Sequence, residues 1–290
     1  MLYIVYKIVF FLTNTLPLRC SYAIASAVAR IFYICSTRDR RELKENLRVV
    51  MGDGTDGRTL GKCAFRVFRN FGKYMVDFFR CSELTEAYIK EKINVSGLEH
   101  LDECVSEGRG TVLVALHLGN WELGGAFIGR SGYPISAIVL DHADKRVNAF
   151  FVRQRAVNGL KSIPIGAQIR ECFKAIKRNE MVAVVGDKDY TSNGIPVTFF
   201  GKKAVIPRGP AVLALRTGAP MVFCGVIRNS DDTYSISFEE PIRQVPTGDH
   251  KKDEEELIGK YLRVFERYIR RYPDQWYVFR RIWPQEKTIQ

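Results

Sequence analysis

Apolar and polar positions along this chain follow two different periods. From residue 94 onward, short apolar runs predict strands at 94–97, 111–116, 135–140, 181–186, 197–200, 221–227 and 234–238. Between them, segments of helical period predict helices over 98–107, 121–130, 145–157, 167–178, 210–217 and 253–271. Uniformly apolar strands separated by helices predict an α/β fold: a mostly parallel central sheet flanked by helices on both faces. In such sheets ligands bind beyond the carboxyl ends of the strands, so polar residues there become the candidates for chemistry.

Before residue 94 the pattern is helical. Residues 38–50 read as a basic amphipathic helix, and 52–57 as a Gly/Asp loop. Over 59–80, Leu60, Ala64, Val67, Phe68, Phe71, Met75, Phe78 and Phe79 form an apolar stripe expected to face a core. Lys62, Arg66, Arg69, Lys73 and Arg80 form a separate stripe with no acid among them until Asp77, expected to meet anionic lipid headgroups. Residues 1–35 are rich in Tyr, Phe, Ile and Val. Their longest uncharged run, 8–18, is 11 residues, short of the ~20 that a spanning helix needs. An N-terminal helix lying in the membrane interface is preferred, with a cleaved signal peptide and a plain buried helix as its rivals. The expected division is 1–35 as this membrane-associated segment and 36–290 as one domain.

The stretch from Thr111 to Gly125 carries the strongest chemical signal. An apolar strand runs out at His117, Gly119 permits a sharp turn, and Asn120 is a natural N-cap for a helix opening at Trp121. Glu122, in the first helical turn, is expected to fold back to the imidazole and fix its tautomer, making His117 a general base. One H-x4-E pair alone is more often structural; the buried strand, the turn and the cap change that balance. Further polar residues fall at other strand ends: Asp141 and His142, then Asp187, Lys188, Asp189 and Tyr190. Arg153 and Arg155 lie on the helix after the third of the predicted strands. Arg208-Gly209-Pro210 opens another helix, where free N–H groups and an arginine together suit an anion.

Composition narrows the classes. A formal net charge of +12 favours an anionic partner: lipid surface, phosphorylated or acidic-protein substrate, or nucleic acid. No helix-turn-helix, RNP motif or zinc finger supports the last, so nucleic acid is not expected. The 7 cysteines are scattered without a CxxC pair, which argues against a disulfide framework or structural zinc and for a reducing compartment. Neither HExxH nor a deaminase-type zinc signature occurs, and the Gly57–Lys62 stretch lacks P-loop spacing, so no metal site is expected.

Five blocks, in order, carry a family resemblance: H-L-G-N-W-E (117–122), V-R-Q-R-A-V-N-G (152–159), V-V-G-D-K-D-Y (184–190), F-F-G-K-K-A (199–204) with L-A-L-R-T-G-A-P-M-V (213–222), and Y-P-D-Q-W-Y-V-F-R-R-I-W (272–283). Together they resemble the lipid A biosynthesis lauroyl/myristoyl acyltransferases and their H-x4-E/D relatives, over nearly the whole chain. Lys188 departs from the D-Q or D-H-D found in relatives. The resemblance implies an O-acyltransferase acting at the cytoplasmic face of the inner membrane. An acyl chain would pass from acyl carrier protein or CoA, as co-substrate without a cofactor, to a hydroxyl of a lipid acceptor. A lipid A precursor comes first among acceptors, with another glycolipid or a lysophospholipid as alternatives. It implies His117 as base, Glu122 as its orienter, and Arg153, Arg155, Asp187, Asp189 and Arg208 around the substrate. A lipid-binding or tethering protein without chemistry is the rival from another class.

Overall fold

The computed structural model describes residues 2–80, 84–166 and 169–283, and the side chain of Leu2 is not described. Four helices come first: α1 (Leu2–Thr15), α2 (Leu18–Cys35), α3 (Thr37–Met51) and α4 (Gly57–Phe79). Pro17 breaks the chain between α1 and α2. Asp56 caps α4 by accepting from the backbone N–H groups of Arg58 and Thr59. α4 buries its apolar stripe as its period predicts, with Leu60, Ala64, Val67, Phe68, Phe78 and Phe79 in the core. α2 lies along α4, and Gly72 allows the approach: a Cβ there would stand 3.1 Å from the Ala25 carbonyl oxygen.

The basic stripe is divided rather than wholly turned outward. Lys73 pairs with Asp232 at 2.6 Å, and Arg80 donates to the carbonyls of Thr13 and Leu16 at the end of α1. Lys62 and Arg66 are the exposed members.

The rest of the chain builds the sheet. After α5 (Glu86–Lys92) come β1 (Ile93–Ser96), α6 (Leu98–Ser106), β2 (Thr111–Ala115), α7 (Trp121–Arg130) and β3 (Ile135–Val139). Then follow α8 (Lys145–Ala156), β4 (Leu160–Pro164), α9 (Ile169–Lys177), β5 (Met181–Val185), β6 (Ile195–Phe199) and β7 (Lys202–Ile206). α10 (Gly209–Thr217), β8 (Met221–Arg228), β9 (Tyr234–Phe238) and α11 (His250–Arg271) complete it, with a 3₁₀ turn at Pro273–Gln275. The first two residues of the helix expected over 167–178 lie outside the described residues.

The strand order of the main sheet is β1-β9-β8-β2-β5-β3-β4, and among its described strand pairs β8–β9 is antiparallel and the others are parallel. Helices cover both faces, so the expected α/β architecture is the observed one. One face packs Val112, Val114, Val182 and Met221 against α9, α10 and α11; the other packs Leu113, Ile135 and Val222 against α6 and α7. From β2 the chain crosses to β3 on one side, and from β5 it returns to β8 on the other. That reversal leaves a crevice at the carboxyl ends of β2 and β5.

Several details differ from the sequence expectation: α5 and β7 are not among the expected elements, and the N-terminal segment forms two helices, α1 and α2, rather than one. Residues 160–164 form an edge strand, β4, whose Lys161 and terminal Pro164 hid it from an apolar-run criterion. The strand expected at 197–200 belongs to a separate antiparallel hairpin, β6–β7, and not to the main sheet.

Candidate active site

The site is assembled where β2 and β5 end. Their register pairs Ala115 with Val185, so His117 and Asp187 each stand two residues past the same rung. Parallel strands lie ~4.8 Å apart, which brings these side chains within reach although 70 positions separate them. His117 Nδ1 lies 2.7 Å from Asp187 Oδ1. The His117 backbone N–H donates to Asp187 Oδ2 at 3.1 Å, and the indole N–H of Trp276 donates to the same oxygen at 2.9 Å. The Asp187 side chain is 0% exposed. Burial by itself raises its pKa, but the adjacent His117 ring and these N–H donors outweigh that and hold the carboxyl below the usual range. An ionised Asp187 accepting from Nδ1 leaves Nε2 of His117 as the nitrogen available to take a proton.

The turn that carries His117 is held by its neighbours. Gly119 has φ +64°, and a Cβ there would lie 1.7 Å from the Val226 carbonyl oxygen, so only glycine fits. Its N–H donates to the Gln275 carbonyl at 2.9 Å, and the Tyr277 N–H donates to the His117 carbonyl at 2.7 Å. The 275–277 segment therefore clamps the loop as a short antiparallel pairing. Asn120 caps α7 as expected, its Oδ1 accepting from the Leu123 N–H at 3.0 Å. The imidazole is flanked edge-on by Trp121 and Tyr190, with ring centroids 5.1 and 6.2 Å away.

Glu122 does not meet the imidazole in this structure; the carboxylate on the ring is Asp187. Glu122 instead grips Arg155 of α8 through two guanidinium nitrogens, with contacts from 2.6 to 3.2 Å. Both side chains are nearly buried, at 11% and 12% exposure. The reason is geometric. From the first turn of α7, Glu122 faces the cavity wall formed by α8, while the side of His117 that carries Nδ1 faces β5.

The other expected site residues separate similarly. Asp189 lines the cavity, but its oxygens accept from the Thr191 N–H and hydroxyl and from the Gly194 N–H, so it shapes its own loop. Arg208 lines the cavity at the start of α10 and forms a fork with Glu254. Arg153 is exposed on α8 and is not among the cavity-lining residues. Asp141 accepts from the Asn148 side chain, and His142 packs on Phe151 with ring centroids 4.4 Å apart. Burial, then the nearby Arg155 charge, lower the pKa of His142. Trp276, Trp121 and Tyr190 had no assigned role from sequence. Trp276 falls inside the closing 272–283 block, which is the one signal that marked it.

The cavity has a volume of about 700 Å³, within the range of small-molecule sites. Its polar lining includes His117, Glu122, Arg155, Lys188, Tyr190 and Asn193. Beneath α7 its wall is apolar, formed by Leu113, Ile128, Ile135, Ala137, Leu160 and Ala183. Small residues on β3 and β5 leave the space there. Among the described residues no group of three His, Cys, Asp or Glu side chains is placed to hold a metal ion.

Comparison with known proteins places the chain in a family. A family profile described as bacterial lipid A biosynthesis acyltransferase matches residues 1–285. A phosphatidylinositol mannoside acyltransferase of Mycolicibacterium smegmatis is 26% identical over 218 residues, covering 72% of this chain and 69% of that protein. One from Mycobacterium tuberculosis is 26% identical over 159 residues, covering 53% of this chain and 50% of the relative. The lipid A biosynthesis palmitoleoyltransferase of Escherichia coli is 25% identical over 212 residues, covering 72% and 67%. With a family match spanning almost its entire length, the chain belongs to the bacterial lipid A biosynthesis acyltransferase family.

Proposed function

We propose that this acyltransferase moves a fatty acyl chain from an acyl thioester, on acyl carrier protein or CoA, to a hydroxyl of a membrane glycolipid. The observation that carries the reading is the buried Asp187 on Nδ1 of His117, which lines a cavity with an apolar wall. His117 Nε2 takes the acceptor's hydroxyl proton as the oxygen attacks the thioester carbonyl. The new C–O bond forms, the tetrahedral intermediate expels the thiolate by breaking C–S, and the thiolate takes the proton back from the imidazolium. Asp187 orients the ring and stabilises its charged form. The apolar wall beneath α7 accommodates the acyl chain, and neither a cofactor nor a metal enters the scheme. A lipid A precursor is the first acceptor class, by the E. coli relative; the mycobacterial relatives support a phosphatidylinositol mannoside.

The test is mass spectrometry of membrane lipids from cells producing the wild type or His117→Ala. We expect one glycolipid class to gain an acyl chain with the wild type alone. Identical profiles in a host shown to contain both acceptor classes, with both proteins present at the membrane, would defeat the reading.

The surface that meets the membrane is assigned to α1 and α2. Ile4, Val5, Ile8, Phe11 and Leu12 of α1 and Ile24, Val28, Ile31, Phe32 and Ile34 of α2 are exposed, between 43% and 65%. α2 is long and apolar enough to cross a membrane by length and composition. Its opposite side, however, is held to the domain, Tyr22 donating to Asp77 at 2.5 Å. A helix bound along one side to protein suits an interfacial position, at the cytoplasmic face of the inner membrane. Phe11→Glu combined with Ile31→Glu is expected to weaken flotation with phosphatidylglycerol vesicles by ~10-fold or more. Unchanged flotation would remove this surface from consideration.

A further inference from the structure

Among the described residues, four lysine and arginine side chains line the cavity: Arg155, Lys188, Arg208 and Arg216. Arg155 is held by Glu122 and Arg208 by Glu254. Arg216 is exposed in the last turn of α10, at the opposite end of that helix from Arg208. Lys188 is different. It directly follows Asp187 and is half-buried, and no carboxylate lies within ion-pair distance of it among the described residues. The acids nearest to it in charge are already engaged. Asp187 is held by His117 and Trp276, and Glu42 is paired with Arg38 and Arg280. The Lys188 ammonium rests 4.7 Å from the centroid of the Tyr190 ring, the same ring whose edge flanks His117. A cation–π contact holds an ammonium in place without neutralising it.

We propose that Lys188 is the acceptor-selecting residue: its ammonium binds a phosphate that the acceptor glycolipid carries close to the hydroxyl being acylated. The inference rests on the acyl-transfer reading and adds the anion to it. A half-buried cation facing a substrate cavity with every neighbouring acid engaged lacks one negative charge, and the substrate supplies it. Lysine is a compact point charge that suits a tetrahedral phosphate from any direction, where a planar carboxylate would favour an arginine fork. Position selects the acceptor over the donor. The donor's nearest phosphate lies a full pantetheine arm from its thioester, whereas Lys188 is separated from the imidazole by a single tyrosine ring.

Steady-state kinetics on wild type, Lys188→Gln and Lys188→Arg test this, with palmitoyl-CoA as donor. The acceptors are phosphatidylinositol mannoside and a bis-phosphorylated lipid A precursor in mixed micelles, each beside its phosphate-free counterpart. For the acceptor that is used, Lys188→Gln is expected to raise KM by ~10–100-fold and to erase the preference over the phosphate-free lipid. Lys188→Arg should restore most of that preference, and the donor KM should stay put. A preference that survives in Lys188→Gln overturns the proposal. So does a rise confined to the donor KM, which would give the phosphate to the donor, or a fall in kcat alone, which would give the charge to the transition state. Equilibrium titration of the same micelles without donor separates this inference from the reading beneath it. A wild type that transfers nothing yet binds the phosphorylated lipid ~10-fold tighter than Lys188→Gln sinks acyl transfer and keeps Lys188; equal binding sinks Lys188.

Discussion

Asp187→Asn is expected to lower the acyl-transfer rate by ~10²–10⁴-fold, about as far as His117→Ala. Asparagine keeps the shape of aspartate and leaves an oxygen for the His117 and Trp276 N–H groups that donate to Oδ2. The atom replacing Oδ1, 2.7 Å from His117 Nδ1, is then an NH₂ group, which donates. Nδ1 must accept, the proton moves to Nε2, and the nitrogen facing the substrate is no longer a base. The imidazolium also loses its counter-charge. Initial rates with saturating donor, on variants whose circular dichroism and melting match wild type, check this.

Glu122→Gln provides the contrast. It leaves the His117–Asp187 contact intact and weakens the two-nitrogen grip on Arg155, so its effect should fall on stability and on how α7 meets α8. The kcat loss should be smaller than that of Asp187→Asn. If instead Asp187→Asn stays near the wild-type rate while Glu122→Gln is inactive and folded, Glu122 is the orienter and the present assignment fails.

The largest structural effect is expected from Asp77. Its carboxylate accepts from the Arg228 guanidinium and from the hydroxyls of Tyr22 and Tyr234. Arg228 is 5% exposed and Asp77 8%. Asp77→Ala leaves Arg228 with Asp232, 3.3 Å away and itself shared with Lys73, and so strands a charge inside the protein. Removing one partner of such a pair costs ~3–5 kcal/mol. The double variant Asp77→Leu/Arg228→Met removes both charges and should lose less than either single change, because no unpaired ion remains. Urea denaturation midpoints, compared at constant slope, measure both. Asp77→Ala within 1 kcal/mol of wild type would show that water reaches the cluster. Activity should follow stability here, since Tyr234 also receives the Asn120 amide from the cap of α7 at 3.3 Å.

Much of this molecule is local and was legible from the chain. The apolar run of β2, the glycine turn, the Asn120 cap and the start of α10 after Arg208 each depend on a few consecutive residues. The apolar stripe of α4 and the alternation of strands with helices rest on periodicity alone. Even the edge strand β4 was missed for a local reason, its polar face and terminal proline.

Partner choice was not local. Glu122 sits five residues from His117 and is chemically fit to orient it, yet Asp187 is the carboxylate that contacts the ring, because β2 and β5 are neighbours in register. Which strands become neighbours in a parallel sheet is decided by how the crossover helices pack on both faces, and no segment carries that information by itself. The same holds for Arg208 with Glu254, Lys73 with Asp232, and the withdrawal of β6–β7 into its own hairpin. The sequence by itself determined most of the elements, though not α5, β4 or β7, and placed a histidine at a strand end. Only the tertiary structure decided which buried carboxylate meets that imidazole, because long-range pairing follows from the packing of the whole sheet.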